Sequence, residues 1–325
     1  MVQVAVSTIM LDESAHVERW AESARDADLL LLGDTGSKDG SVDLARSCGI
    51  SVIEMAVTPW RFDVARNTLL SMTPPGIDVV ITLDVDEVLV AGWRELLEKT
   101  IAENPWPRRW AYEYVWSWVP GKEGEVPDVM FRADRCHSRE GWLWHGAVHE
   151  VLVPAQSRGD LEAPAAWAGF RIEHYADAHK PRSQYLELLR QAVREEPHNP
   201  RQRFYLGREY FFVGRWEMAR ETLVDFLAMP EATWTAERAE AFRYIAKMDN
   251  YPERWLLKAV AEAPERRDAV VDLADLYVQE ERWTEAAGMA ARALAVRQRP
   301  GDYMSTARVW DDERLERIVG GIDRG

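Results

Sequence analysis

The chain has 325 residues, 55 Asp and Glu against 40 Lys and Arg, a formal net charge of -15 and a hydrophobic fraction of 47%. That length fills one large core or two ordinary ones, and two is the expectation. The acidic balance disfavours nucleic acid and anionic membranes as partners, and two distant cysteines, Cys48 and Cys136, argue against a disulfide framework or zinc knuckle and fit a reducing cytoplasm.

The opening stretch, residues 2–6, lacks the basic and apolar blocks of a signal peptide and predicts a strand. Val17, Trp20, Ala21 and Ala24 recur at helical spacing, and the apolar run 29–32 suits a strand covered on both faces. The polar turn Asp34-Thr35-Gly36-Ser37-Lys38-Asp39-Gly40 leads into a short helix through Val42, Ala45 and Cys48, and 51–55 is a third strand. A helix is expected over 62–72, with Asp63 near its start where free N–H groups favour a carboxylate. A fourth strand, 79–83, ends on Asp84-Val85-Asp86-Glu87, the end of a strand where ligands of open α/β sheets collect.

Another helix carries Trp93, Leu96, Leu97 and Ile101, after which Trp110, Tyr112, Tyr114, Trp116 and Trp118 alternate as a β-ribbon. Strand-like pieces at 129–131 and 142–153 are expected to add an antiparallel or mixed edge to the sheet. The first domain should span 1–180. From 181 to 325 the pattern is helical, and segments 206–227 and 273–295 resemble each other. Trp216 and Trp283 stand 67 residues apart, near twice the roughly 34-residue tetratricopeptide period, with a degenerate unit expected around 242–260. No segment approaches the roughly 20 apolar residues of a membrane span.

Asp84 and Asp86 carry the sharpest chemical signal. Two carboxylates one residue apart at a strand end can present hard oxygen ligands to Mg2+ or Mn2+ bound by a diphosphate, and both are expected to be solvent-accessible. The motifs at 34–41, at Phe62-Asp63-Val64-Ala65-Arg66-Asn67 and at 83–87, in this order, resemble the family-two glycosyltransferases. Trp144-His145-Gly146-Ala147-Val148-His149-Glu150, His174-Tyr175 and Phe204-Tyr205-Leu206-Gly207-Arg208-Glu209-Tyr210 resemble the subgroup with a C-terminal helical repeat.

The resemblance implies a GT-A, Rossmann-like open twisted sheet followed by an all-α, tetratricopeptide-like domain. It implies a nucleoside-diphosphate-sugar donor, uridine being the favoured base, and an inverting transfer to an acceptor hydroxyl. Asp34, with Thr35 and Gly36, would meet the nucleobase, and Arg66 the base or diphosphate. Asp84, Val85 and Asp86 would hold ribose and metal. Beside that resemblance, His145, His149 and His174 could each supply a nitrogen to the metal. The acceptor's proton needs a base, for which Glu150, His149 and Asp128 are candidates. A protein or peptide acceptor is expected from the helical domain.

Three other readings compete. Asp84 and Asp86 also fit a haloacid dehalogenase-like phosphatase, although that motif belongs on a first strand and here follows three others. Asp34-Thr35-Gly36-Ser37 suggests an aspartic protease, which needs two such copies in a mostly β fold. A non-catalytic scaffold would use the helical repeat alone, against which the paired aspartates speak.

Overall fold

Four short apolar runs bounded by turn residues form the parallel half of an eight-stranded sheet: β1 (Val4–Met10), β2 (Leu29–Asp34), β3 (Ser51–Glu54) and β4 (Val79–Thr82). β1 pairs in parallel with both β2 and β4, and β2 with β3. Helices α1 (Val17–Ser23), α2 (Ser41–Ser47) and α3 (Phe62–Met72) connect them. Val4, Ala5, Val6, Leu32 and Ile81 are fully buried, which explains continuous apolar runs in place of alternation. The parallel pairing brings the carboxyl ends of β1, β2 and β4 to one edge.

The computed structural model describes residues 2–103, 109–155, 165–176, 183–250 and 252–321. Beyond β4 the sheet takes in β5 (Glu87–Leu89), β6 (Arg109–Trp118), β7 (Pro127–Ser138) and β10 (Ala166–His174), in the order β3-β2-β1-β4-β7-β6-β10-β5. β7 runs antiparallel to β4, β10 parallel to β6 and β5 antiparallel to β10, so the sheet is mixed. Helix α4 (Trp93–Glu103) joins this unit. Trp20, Trp93, Tyr112 and Phe170 are its largest fully buried apolar side chains.

Two strand expectations need correction. Residues 129–131 belong to β7, which stands between β4 and β6 in the strand order and whose far end, 136–138, pairs antiparallel with β4, so the strand is not an outer one. The run 142–153 is a hairpin of β8 (Trp142–His145) and β9 (Val151–Pro154), forming its own two-stranded sheet. Gly146 at φ 110° and His149 at φ 51° turn the chain between them, positions an unbroken strand would not hold. Strand β10 was not foreseen.

The chain divides into two compact units, Met1–Trp118 with Met130–Lys180, and Val119–Val129 with Pro181–Gly325. The expected boundary at 180–181 lies outside the described residues. The second unit holds α5 (Ser183–Glu195), then hairpins of α6 (Pro200–Phe212) with α7 (Trp216–Ala228), α8 (Thr235–Lys247) with α9 (Pro252–Glu262), and α10 (Asp268–Gln279) with α11 (Trp283–Ala295). A 3-10 turn, Ala307–Trp310, and α12 (Asp312–Gly320) follow.

The first and third hairpins repeat in detail. Arg215 N donates to Tyr210 O and Arg282 N to Tyr277 O, both at 2.8 Å, and Ala219 and Ala286 are equally buried. Gly214 at φ 72° and Glu281 at φ 58° make the same left-handed turn. Among the described residues no helix is long and apolar enough to cross a membrane.

Candidate active site

The site grows from α3, whose polar residues fall one turn apart and face the β8–β9 hairpin. Asn67 donates to Trp144 O and accepts from Trp144 N, both at 2.8 Å, pinning the hairpin as a strand partner would. Asp63 accepts from Gly146 N at 3.0 Å and is gripped by Arg61, with Oδ2 2.8 Å from Nη2. Phe62 N donates to Ala147 O at 3.1 Å. The motifs at 62–67 and 144–150, far apart in sequence, are therefore one structural piece.

Arg66, nearly buried, leaves α3 between them. Its Nε donates to Glu150 Oε1 at 2.5 Å and its Nη2 to Asp84 Oδ1 at 2.6 Å, with the guanidinium 5.1 Å from the Trp144 ring centroid. Its Nη1 has no hydrogen-bond partner among the described residues. Arg135 of β7 approaches Asp84 from another direction, with Nη1 3.4 Å from Oδ2, while its Nη2 donates to Glu87 Oε1 at 2.5 Å. Burial works against ionisation of Asp84, yet the two guanidiniums hold its carboxyl well below the usual range.

Glu87 is fully buried and organises the floor. It accepts from Asp84 N at 2.8 Å and from Tyr114 OH at 2.5 Å. Burial pushes its carboxyl up, against the pull of Arg135. Sequence reasoning quoted Glu87 without a role and missed Arg135 and Tyr114. The alternation of 110–118 was the available signal for Tyr114, because that stripe puts Trp110, Tyr112 and Tyr114 into the core.

Asp86 departs from the expected exposure. Asp84 keeps 46% of its side chain accessible, whereas Asp86 keeps 11%, its Oδ2 lying 3.4 Å from His174 Nε2. His174 Nδ1 lies 2.8 Å from Trp116 O, which fits an Nδ1–H donor and turns Nε2 toward Asp86. Burial lowers the affinity of His174 for a proton, but Asp86 outweighs it and the imidazole is pushed up to about 9.

Once the His174 Nε2 proton is displaced, a carboxylate and an imidazole so oriented fit a small divalent cation whose remaining ligands are phosphate oxygens and water. Among the described residues no three His, Cys, Asp or Glu side chains form a ready cage. The physical reason is that Asp84 is committed to Arg66 and Arg135.

The other expected residues fall in three places. The Asp34 carboxylate closes its own loop, accepting from Gly36 N at 3.0 Å and Ser37 N at 3.2 Å, and Thr35 Oγ1 donates to Met10 O at 2.9 Å. This loop is tied to residues 12–14: Lys38 N donates to Asp12 Oδ1 at 2.6 Å and Ser14 N to Asp39 Oδ2 at 2.9 Å. The Val85 side chain belongs to the hydrophobic core, so only its backbone could meet a ligand. Asp128 groups with the helical unit, where its carboxylate accepts from Ala307 N at 2.9 Å and its carbonyl from Arg299 at 2.6 Å. That anchoring gives Asp128 a structural task. Glu150 and His149 stay beside Arg66 and the hairpin turn.

No protein-family model matches the chain, and the search of curated proteins gives no match. Solved structures match at low identity. S. aureus TarS 1–349 in complex with UDP-GlcNAc is 14% identical, covering 77% of this chain and 90% of that one at a TM-score of 0.42. The chain spans about half, 54%, of a longer TarS structure. The Mycobacterium tuberculosis glucosyl-3-phosphoglycerate synthase in complex with Mn2+, UDP and glucosyl-3-phosphoglycerate is 18% identical, covering 59% and 77% at 0.39. MamA is 20% identical, covering 46% and 88% at 0.32. By its strand order and connections, the chain itself has an open mixed α/β sheet, followed by an all-α unit of helical hairpins.

Proposed function

We propose that the chain is a glycosyltransferase that moves a sugar from a nucleoside diphosphate, with uridine as the base, to an acceptor hydroxyl. The observation that carries this reading is the Asp84 carboxylate beyond β4, half exposed between Arg66 and Arg135 and two residues from the Asp86–His174 pair. Guanidiniums that compensate one carboxylate in the free protein can also bind a diphosphate through their planar forks. The loop at 34–40 follows β2 on the same edge and supplies the base-side surface.

Mn2+ or Mg2+ would be held by Asp86 and His174, and when bound it supplies neutralising charge to the departing diphosphate. The protein's own groups do the rest. Arg66 orients the diphosphate from a buried position, Glu87 and Tyr114 hold the 84–87 turn, and the acceptor proton passes to the His149–Glu150 pair during an inverting displacement. A protein or peptide is the acceptor class we favour. The phosphatase alternative lacks support in the topology, because the aspartates follow the fourth strand.

Thermal unfolding with UDP, with and without Mn2+, tests the proposal. Wild-type protein should gain stability from UDP and more from the two together, and Asp86→Asn should lose the manganese-dependent part. Equal shifts in wild type and variant would remove Asp86 from metal binding, and no shift with any nucleoside diphosphate would remove the donor site.

A further inference from the structure

β1 and β4 carry hydroxyls at matched positions inside otherwise apolar runs. Ser7 and Thr82 are partners in the parallel register, so both side chains leave the sheet on the same side, and both are buried. Their oxygens stand 3.5 Å apart, beyond the roughly 2.5–3.0 Å of an ordinary O–H···O bond, so each hydroxyl is poorly served by the other.

A small cavity opens beside this pair, between the sheet and α3. Val80 lies alongside on β4, and Arg66 and Leu69 of α3 face the strands with Trp144 of β8. The space open to the centre of a water molecule is about 10 Å³, room for one. Among the residues lining it, Arg66 carries the only charge. Its Nε and Nη2, on one edge of the planar group, are engaged by Glu150 and Asp84. The buried Nη1 is the nitrogen without a partner among the described residues.

Three polar groups thus converge on a space of one water's size, and their chemistry selects the guest. An anion is disfavoured because Glu150 and Asp84, at 2.5 and 2.6 Å, already balance the guanidinium. An apolar guest would leave Nη1 and both hydroxyls without bonds. Water accepts from an N–H and exchanges hydrogen bonds with hydroxyls, and a buried water takes roughly two to four such partners.

We propose that this cavity binds one structural water, which accepts from Arg66 Nη1 and bridges to Thr82 Oγ1 and Ser7 Oγ, making Ser7 and Thr82 positioning residues for the guanidinium. The water ties the back of Arg66 to the sheet while the opposite edge serves Glu150 and Asp84.

Crystal structures of the full chain, at a resolution that shows ordered water, test the site in three forms. These are wild type, Thr82→Ser, which keeps the hydroxyl, and the double variant Ser7→Ala, Thr82→Val, which removes both hydroxyls and nearly keeps the shape. Wild type and Thr82→Ser should show one density peak within about 3 Å of Arg66 Nη1 and both hydroxyl oxygens, and the double variant should lose it. Nitrogen NMR of the Arg66 side chain should show rotation about Cζ–Nη1 about tenfold faster in the double variant, the scale of one hydrogen bond to a charged group, with Thr82→Ser matching wild type. On the donor reading above, UDP should bind the double variant about tenfold more weakly. A wild-type cavity free of density, or an unchanged Arg66 rotation rate in the double variant, would overturn the proposal. Absence of UDP binding to every form would instead remove the donor reading, because neither the density nor the rotation depends on it.

Discussion

Arg66 Nη2 and Asp84 Oδ1 stand 2.6 Å apart, joining the middle of α3 to the turn beyond β4. The same guanidinium holds Glu150, whose side chain is 10% exposed. Removing the arginine leaves Glu150 nearly buried without its cation. Arg66→Met should therefore cost about 3 kcal/mol in urea unfolding, whereas Asp84→Asn should cost about 1 kcal/mol or less because that carboxylate is half exposed. Equal losses would mean that the Asp84 contact, and not Glu150, anchors Arg66.

His137 gives a pH dependence. It is fully buried, and burial pushes its imidazole down to about 4 from the 6.5 of a solvated histidine. The unfolded chain binds this proton more readily, so the contribution is complete above about pH 6.5 and is lost as pH falls toward 4, by about 3 kcal/mol in total. Denaturant unfolding at several pH values should show this slope, and His137→Phe should flatten it between pH 6.5 and 4. Carboxylates held low by partners, such as Asp28 and Asp63, weaken the protein only at lower pH.

Glu281 occupies a left-handed turn that its counterpart fills with Gly214. A side chain there carries conformational strain that glycine does not. Glu281→Gly should raise stability by about 1 kcal/mol, and Gly214→Ala should lower it by a similar amount. Thermal unfolding of the two variants checks the sign directly.

Gly207 marks a close helix crossing. A Cβ there would lie 2.7 Å from Leu223 Cδ2 and 2.8 Å from its Cγ, so the fully buried Leu223 side chain would have to shift. Gly207→Ala should destabilise by about 1–3 kcal/mol despite the better helix propensity of alanine. A paired Gly207→Ala, Leu223→Ala variant should recover part of that loss if the clash is the cause.

The parallel strands were legible because each is a short apolar run closed by turn residues, as Leu29 to Leu32 before Asp34 shows. The helical hairpins were legible through the recurring Tyr, Arg and Trp around their turns. What stayed hidden depends on partners distant in sequence. β5 is three residues long and exists by pairing with β10, and Asp86 is buried because His174 covers it. The split of β8 from β9 had a local cue, Gly146, but the stronger constraint is Asn67 gripping Trp144. Arg135 gave no local sign of its role, since its meaning comes from Asp84 and Glu87 across the sheet.

The crosswise hydrogen bonds from Lys38 N to Asp12 and from Ser14 N to Asp39 make two surface loops behave as a single stiff lip. Its shape is set while the chain folds, so under the proposed function a nucleotide arriving there would lose little affinity to the ordering of floppy backbone. A perturbation on one side of that lip should be felt on the other, although neither residue need touch the guest.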